Sequence, residues 1–282
     1  MILLREFITP DFVKNALPKR KRQSNKSTYG RVLLVCGSDC MRGAAALAAR
    51  GALRMGAGLV TVASSKAVID TLSVSLCEPI YLDTETDNLF QAAERMQAIG
   101  LGCGLGRTEK TAAWTIEFLS SAGAPLILDA DGINVLSGQA ALLKAAKRPV
   151  LLTPHPLEFS RLTGLPVEAI QSDRENTAKR FAAQYGVTLL LKGADTVVTD
   201  GETVYVNPTG SSALAKGGSG DTLLGMICAF AAQGASLLNA AAIAAYLHGL
   251  AGERLSKIYS EYGVLPSDLP EKAAQILAEW GF

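Results

Sequence analysis

Asn207-Pro-Thr-Gly-Ser-Ser-Ala-Leu-Ala-Lys-Gly-Gly-Ser-Gly-Asp221 runs without a break into Thr222-Leu-Leu-Gly-Met-Ile-Cys-Ala-Phe230. Glycines at 217, 218 and 220 open backbone angles closed to other residues, and a helix beginning at Asp221 points its first free N–H groups back into the loop. Such a junction favours an anion, because a helix start carries roughly half a positive charge and unpaired donors. A carboxylate placed there repels phosphate unless it takes a proton from an attacking hydroxyl or holds a metal ion. Asp221 as a plain N-cap over a tight turn is the simpler reading. The glycines, Lys216 and the long apolar helix argue for the chemical one, with Gly218 and Gly220 offering main-chain N–H groups to a phosphoryl group in flight.

Immediately upstream, a strand over 187–191 leads into Lys192-Gly193-Ala194-Asp195-Thr196, and a hairpin follows with strands over 197–199 and 203–206 around the turn pair Asp200-Gly201. A strand over 150–153 ends at Pro154-His155-Pro156-Leu157-Glu158, where two prolines stiffen the backbone on either side of one of the chain's two histidines. His155 at a strand end is a candidate ligand contact, and Glu158 is either a functional acid or a first-turn helix acid. A strand over 125–129 places Asp129, with Asp131 just beyond, where open α/β sheets bind ligands; one of the two can equally cap the next turn. The run Ala98-Ile-Gly-Leu-Gly-Cys-Gly-Leu-Gly106 has the spacing Gly-x-Gly-x-Gly, which does not match the dinucleotide fingerprint Gly-x-Gly-x-x-Gly. Strands over 31–36 and 59–63 flank an alanine-rich helix over 44–55, whose small side chains suit close packing or a ligand near its first turn. His248, on the last of two closing helices over 222–233 and 238–255, reads as a packed or surface histidine.

The alternation of strands and helices predicts one α/β/α domain over 30–282 with a mainly parallel sheet, preceded by an arm over 1–29 that carries a short helix after Thr9-Pro10 and a basic, solvated stretch over 19–26. With 27 basic against 26 acidic residues, a net charge of +1 gives no general field for nucleic acid or an anionic membrane, so an anionic ligand has to be held locally. Five cysteines without a Cys-x-x-Cys pair argue against a disulfide framework and a zinc site. The first ten residues lack the apolar stretch of a signal peptide and no 18-residue apolar span occurs, so the expectation is a cytoplasmic protein without membrane partner.

Taken in order, Tyr29–Ser38, Met41–Leu47, Gly102–Gly106, Asp129-Ala-Asp131, Leu152–Phe159, Leu191–Thr196 and Asn207–Asp221 resemble the ADP/ATP-dependent NAD(P)H-hydrate dehydratases of the ribokinase-like superfamily, over nearly the whole chain. That resemblance implies a three-layer ribokinase-like fold and repair of hydrated NADH and NADPH, in which a nucleotide phosphorylates the ring hydroxyl and phosphate is eliminated. It implies that Lys192, Gly193, Ala194, Asp195, Thr196 and Gly220 contact the adenine nucleotide, that Ala45, Gly104 and His155 contact the hydrated dinucleotide, and that Asp221 is the base. Mg2+, ADP or ATP as co-substrate, and a homotetramer come with it. The chain departs from the family's common pattern at Ser27, at Cys103 (Gly-Cys-Gly for Gly-Pro-Gly) and at Leu157 (Pro-Leu-Glu for Pro-Gly-Glu). A small-molecule kinase for a vitamin-precursor alcohol would share Asp221 and the glycine turn, and a non-catalytic dinucleotide sensor would bind without turnover.

Overall fold

Side-chain alternation along the apolar runs sets the layers. Val32 and Leu34 enter one buried core while Leu33 and Val35 enter another, and Ile127 and Leu190 face away from Leu126, Leu128, Leu189 and Leu191 in the same way. Both faces of the sheet are therefore covered, which is why its strands read as continuous apolar segments. In a computed structural model describing residues 5–282, the strands are β1 (Arg5–Phe7), β2 (Arg31–Val35), β3 (Leu59–Ser64), β4 (Ile80–Asp83), β5 (Ala98–Leu101), β6 (Leu126–Leu128), β7 (Val150–Leu152), β8 (Thr188–Leu191), β9 (Thr196–Thr199) and β10 (Val204–Asn207). Their order is β1-β10-β9-β8-β7-β6-β5-β2-β3-β4, and β9 alone runs against its neighbours. Helices Arg42–Arg54, Ser219–Ala232, Leu237–Gly263 and Leu269–Glu279 cover one face; Leu89–Ala93, Glu109–Ser121, Pro156–Thr163 and Arg174–Tyr185 cover the other. This is the three-layer, mainly parallel architecture expected.

Several boundaries moved. The glycine-turn helix starts at Ser219 with Gly218 as its N-cap, so Asp221 is its third residue and neither its cap nor its start. Ala140–Ala145 forms a 3-10 turn, and a short helix covers Lys66–Leu72. Within the expected arm, β1 pairs parallel with β10, and Ile8, Val13 and Leu17 join the main core; residues 1–4 lie outside the described residues. Its basic stretch is partly structural, since Arg20 stacks at 3.8 Å on the Tyr29 ring and donates to Gly56 O at 3.1 Å. Among the described residues no helix is long and apolar enough to cross a membrane.

The sheet changes direction between β2 and β5: the chain proceeds from β2 to β3 and β4 on one side, and from β5 to β6, β7 and β8 on the other. Loops leaving two such strands part to opposite faces and open a crevice. Gly37 N–H bridges it, donating to Cys103 O at 2.7 Å. Helix Ser219–Ala232 lies under this point, pressed on helix Arg42–Arg54. A Cβ built on Gly225 would meet Ala48 O at 1.9 Å, and one on Gly51 would meet Thr222 O at 2.4 Å. The alanines of helix Arg42–Arg54 serve the same approach, with Ala45, Ala48, Ala49 and Ala52 fully buried.

Gly225→Ala is therefore expected to lower stability by roughly 1–3 kcal/mol or more, the usual cost of overpacking. Gly43→Ala, where an added Cβ meets nothing within 4 Å, should be neutral or stabilising by up to about 1 kcal/mol. Urea denaturation of both variants checks the pair.

Candidate functional site at the glycine turn and the β2/β5 crevice

Gly218 takes φ 102°, a region other residues avoid, and no side chain caps the helix that follows. Ser219 N–H turns back to Lys216 O at 3.3 Å. The N–H groups of Gly218, Gly220 and Asp221 have no backbone partner, so the free donors at the turn include both glycines named from the sequence. The Lys216 ammonium donates to Tyr262 O at 2.6 Å and Val264 O at 2.5 Å, tying the turn to the end of helix Leu237–Gly263, and Lys216 also lines the cavity beside the turn. That helix breaks at Ser260 (φ 60°, ψ 170°).

Beside Gly220 lies a chain of charges. Lys192 Nζ donates to Asp129 Oδ1 at 2.7 Å and sits 3.9 Å from Glu158 Oε2. Asp129 is 2% exposed and also accepts from Thr153 Oγ1 at 2.8 Å and Cys103 Sγ at 3.3 Å. Burial pushes its pKa up, but the Lys192 ammonium and the hydrogen bonds win and hold it below the ordinary aspartate value. Asp221 shows the reverse. Burial raises its pKa, with Asp129 and Asp131 adding to the rise, while Cys103 and Lys192 pull against it without prevailing. One ligand atom each from Cys103, Asp129 and Asp221 lie within 4.8 Å of one another. Two carboxylates are thus driven apart, one fixed as an anion and one poised to take a proton.

His155 and Glu158 form a capping box on helix Pro156–Thr163. His155 Nδ1 accepts from Leu157 N at 3.2 Å and Glu158 N at 3.3 Å, and His155 N donates to Glu158 Oε2 at 2.9 Å. The Nδ1 lone pair is spent, which leaves the proton of the neutral ring on Nε2, 3.4 Å from Glu158 Oε1. Burial, then Lys192, lowers the imidazole pKa. Glu158 is the first-turn helix acid.

A cavity of about 850 Å³ opens on one side of the turn, lined by Lys192 to Thr196, Asn207 to Ser212, Ser219, Gly220, His155 and His248 among others. The predicted nucleotide residues are thereby brought together. Asp195 sits at φ 51°, and Thr196 Oγ1 donates to Gly193 O at 2.8 Å, which folds that loop tightly between β8 and β9. Asp221 is not part of the lining; it faces Cys103 and Asp129 on the crevice side. There Gly104 packs so near helix Arg42–Arg54 that an added Cβ would meet Ala44 Cβ at 2.7 Å, whereas Ala45 is fully buried behind it. Asp131 Oδ2 accepts from Gly106 N at 2.8 Å and so holds the glycine loop. Two participants were missed. Cys103 gave no signal as a lone thiol in a loop, and His248, packed as expected at 6% exposed, also lines the cavity.

A three-layer sheet with a glycine-turn helix and an acid in its first turn defines a ribokinase-like protein. A solved ribokinase-like superfamily protein from Enterococcus faecalis superposes with a TM-score of 0.87 at 29% identity, covering 98% of this chain and 96% of that one. More narrowly, the chain belongs to the NAD(P)H-hydrate dehydratase family, whose profile matches residues 32–275. It is 40% identical over 275 residues to the ADP-dependent (S)-NAD(P)H-hydrate dehydratase of Bacillus subtilis, covering 94% of this chain and 95% of that protein. The Bacillus subtilis ADP/ATP-dependent enzyme, crystallised with ATP/Mg2+, matches with a TM-score of 0.86 at 36% identity over 97% of this chain and 98% of that one. The chain also spans about half the length of bifunctional NAD(P)H-hydrate repair enzymes, 52% in one case.

Carbon-13 NMR titration of the Asp221 carboxyl should give a midpoint above the ordinary 3.8, so that Asp221 is lost as a base at a higher pH than a free aspartate would be. Cys103→Ala, which removes an influence that lowers this pKa, should move the midpoint further up. Asp129→Asn leaves Lys192 without its main partner and should destabilise at the lower end of about 3–5 kcal/mol, because Glu158 stays 3.9 Å away. Chemical denaturation near neutral pH, where the wild-type pair is fully ionised, measures that loss.

Proposed function

We propose that this protein dehydrates hydrated NADH and NADPH at the expense of an adenine nucleotide, with ADP giving AMP as the preferred donor and ATP as the alternative. The observation that carries the reading is the position of Asp221, between a cavity lined by the Lys192 to Thr196 loop and Gly220, and a crevice formed by the Gly37 and Gly104 loops. Nucleotide on one side and dinucleotide on the other meet at that carboxylate. The family membership and the activity for which the Bacillus subtilis relative is named support it.

In this reading Asp221 takes the proton of the ring hydroxyl while that oxygen forms a bond to the terminal phosphorus of the nucleotide and the old phosphorus–oxygen bond breaks. Main-chain N–H groups of Gly218 and Gly220, with that of Asp221, meet the charge on the transferring group. Phosphate then leaves with the carbon–oxygen electron pair, the neighbouring ring carbon loses a proton, and NAD(P)H re-forms. The balance is one hydrated dinucleotide and ADP giving the reduced dinucleotide, AMP and inorganic phosphate. Gly104 and His155 bear on the dinucleotide, and Ala45 acts through its main chain, since its side chain is buried.

Mg2+ belongs to the proposal as the ion that neutralises phosphate charge when bound. Hard cations take oxygen ligands, so the nucleotide's phosphate oxygens would be its main donors and the soft Cys103 thiol would not be one. The setting we propose is a cytoplasmic homo-oligomer, a tetramer by family resemblance, with no nucleic-acid or membrane partner. A kinase for a small alcohol would use the same Asp221 but keep the phosphate on its product, and the dehydratase relatives favour elimination.

On mixing with hydrated NADH, Mg2+ and ADP or ATP, the near-ultraviolet absorbance of reduced nicotinamide should rise only when nucleotide is present. No rise with either donor, alongside demonstrated nucleotide binding, sinks the dehydratase reading. Asp221→Asn should lower turnover by roughly 100- to 10,000-fold with nucleotide affinity largely kept; unchanged turnover removes Asp221 as the base. His155→Ala should raise KM for the dinucleotide, and a rise confined to the nucleotide reassigns His155 to the cavity it lines.

A further inference from the structure

Among the described residues three buried side-chain atoms have no hydrogen-bond partner: Ser219 Oγ, His248 Nε2 and Arg174 Nε. The first two lie together at the glycine-turn helix, where the imidazole meets the Ser219 main chain. The third belongs to a residue that touches the Lys192 to Thr196 loop without lining the cavity. Helix stability gives no reason for an arginine there. Arg174 is the first residue of helix Arg174–Tyr185, where a cation meets the positive end of the helix dipole and a carboxylate would suit better. Burial adds to the cost, since it pulls the guanidinium pKa down while the Asp195 carboxylate, in the loop, pulls it back.

What the side chain holds is the main chain at the end of β8. Nη2 donates to Leu191 O at 2.9 Å and to Lys192 O at 3.2 Å, and Nη1 donates to Gln171 Oε1 at 2.7 Å. Two successive carbonyls turned to one nitrogen break the alternation of a strand, so this contact marks the point where the chain leaves β8 and becomes the loop. A trans peptide sets its N–H opposite its carbonyl, so holding these two oxygens also orients the N–H groups of Lys192 and Gly193. The first of them donates to Pro154 O at 2.9 Å, and the second points away from the guanidinium. Gly193, at φ 145°, lies against the fork, and a Cβ there would come within 3.0 Å of both Nη atoms.

Lys192 is also the residue whose ammonium is bonded to Asp129. One guanidinium thus fixes the start of the loop and the root of that lysine. We infer that Arg174 is a positioning residue for the nucleotide, whose guanidinium clamps the end of β8 and so sets the direction in which Lys192 to Thr196 face the cavity. This rests on the nucleotide reading given above. Arg174 lies outside the cavity lining and acts through the loop.

Two variants of the full-length protein test the clamp. Arg174→Met keeps an apolar stem and removes every donor to the carbonyls; Arg174→Lys keeps the charge on a single nitrogen with a shorter reach. Calorimetric titration with ADP and with ATP should show Arg174→Met weakened by roughly 5- to 50-fold, with KM for hydrated NADH unchanged, and Arg174→Lys between Arg174→Met and wild type. Urea denaturation supplies the structural readout. An Arg174→Met protein that loses stability but binds both nucleotides like wild type overturns the clamp, and so does an equal weakening of nucleotide and dinucleotide; either result leaves the dehydratase reading standing. If Arg174→Met does not fold, Arg174→Lys decides on the same readout, and wild-type nucleotide affinity then overturns the inference. Wild-type protein that binds nucleotide without dehydrating hydrated NADH fails the dehydratase reading and not the clamp, whereas wild-type protein that binds neither ADP nor ATP fails both.

Discussion

Helices Arg42–Arg54 and Ser219–Ala232 touch backbone to backbone, and the site depends on that contact. Gly51 under Thr222 and Gly225 under Ala48 let the two axes approach closely. The loop entering the first helix forms one wall of the crevice, and the turn entering the second carries Asp221. Separating the helices by the width of a methyl group would shift the carboxylate relative to both ligand sides at once. Packing and chemistry thus share one constraint, and small residues satisfy it.

Electrostatics within the site is a matter of commitment. Lys192 is held by Asp129 and Glu158, Lys216 by main-chain carbonyls, and His155 by its own capping box. What stays uncommitted is the start of one helix and the Asp221 carboxylate. Asp129 needs its charge and keeps it; Asp221, less well partnered, holds its proton more readily than a free aspartate would. The same family of forces, burial set against neighbouring charge, assigns opposite roles to two aspartates a few ångströms apart.

The fold was legible because strands buried on both faces are written as unbroken apolar runs and the helices between them carry clear stops. Helix Arg174–Tyr185, for one, ends at Gly186 in the left-handed region. Where the reading missed, local signals were weak or misleading. β1 is three exposed residues with no alternation, and the glycine-turn helix begins with Ser219 and Gly220, poor helix formers that the tertiary contact overrides. In the site, the family resemblance grouped Lys192 to Thr196 with Gly220, and these residues line one cavity. The thiol of Cys103 between two aspartates, and the unsatisfied nitrogen of His248, depend on contacts between residues far apart in sequence, which no motif records.

The pairing of β1 with β10 bears on how the chain comes off the ribosome. Arg5 finds its partner only at Val204. At roughly 5–20 residues per second, β1 waits about 10–40 seconds for the strand that receives it. Until the hairpin of β9 and β10 has emerged, β1 has no partner at this edge of the sheet.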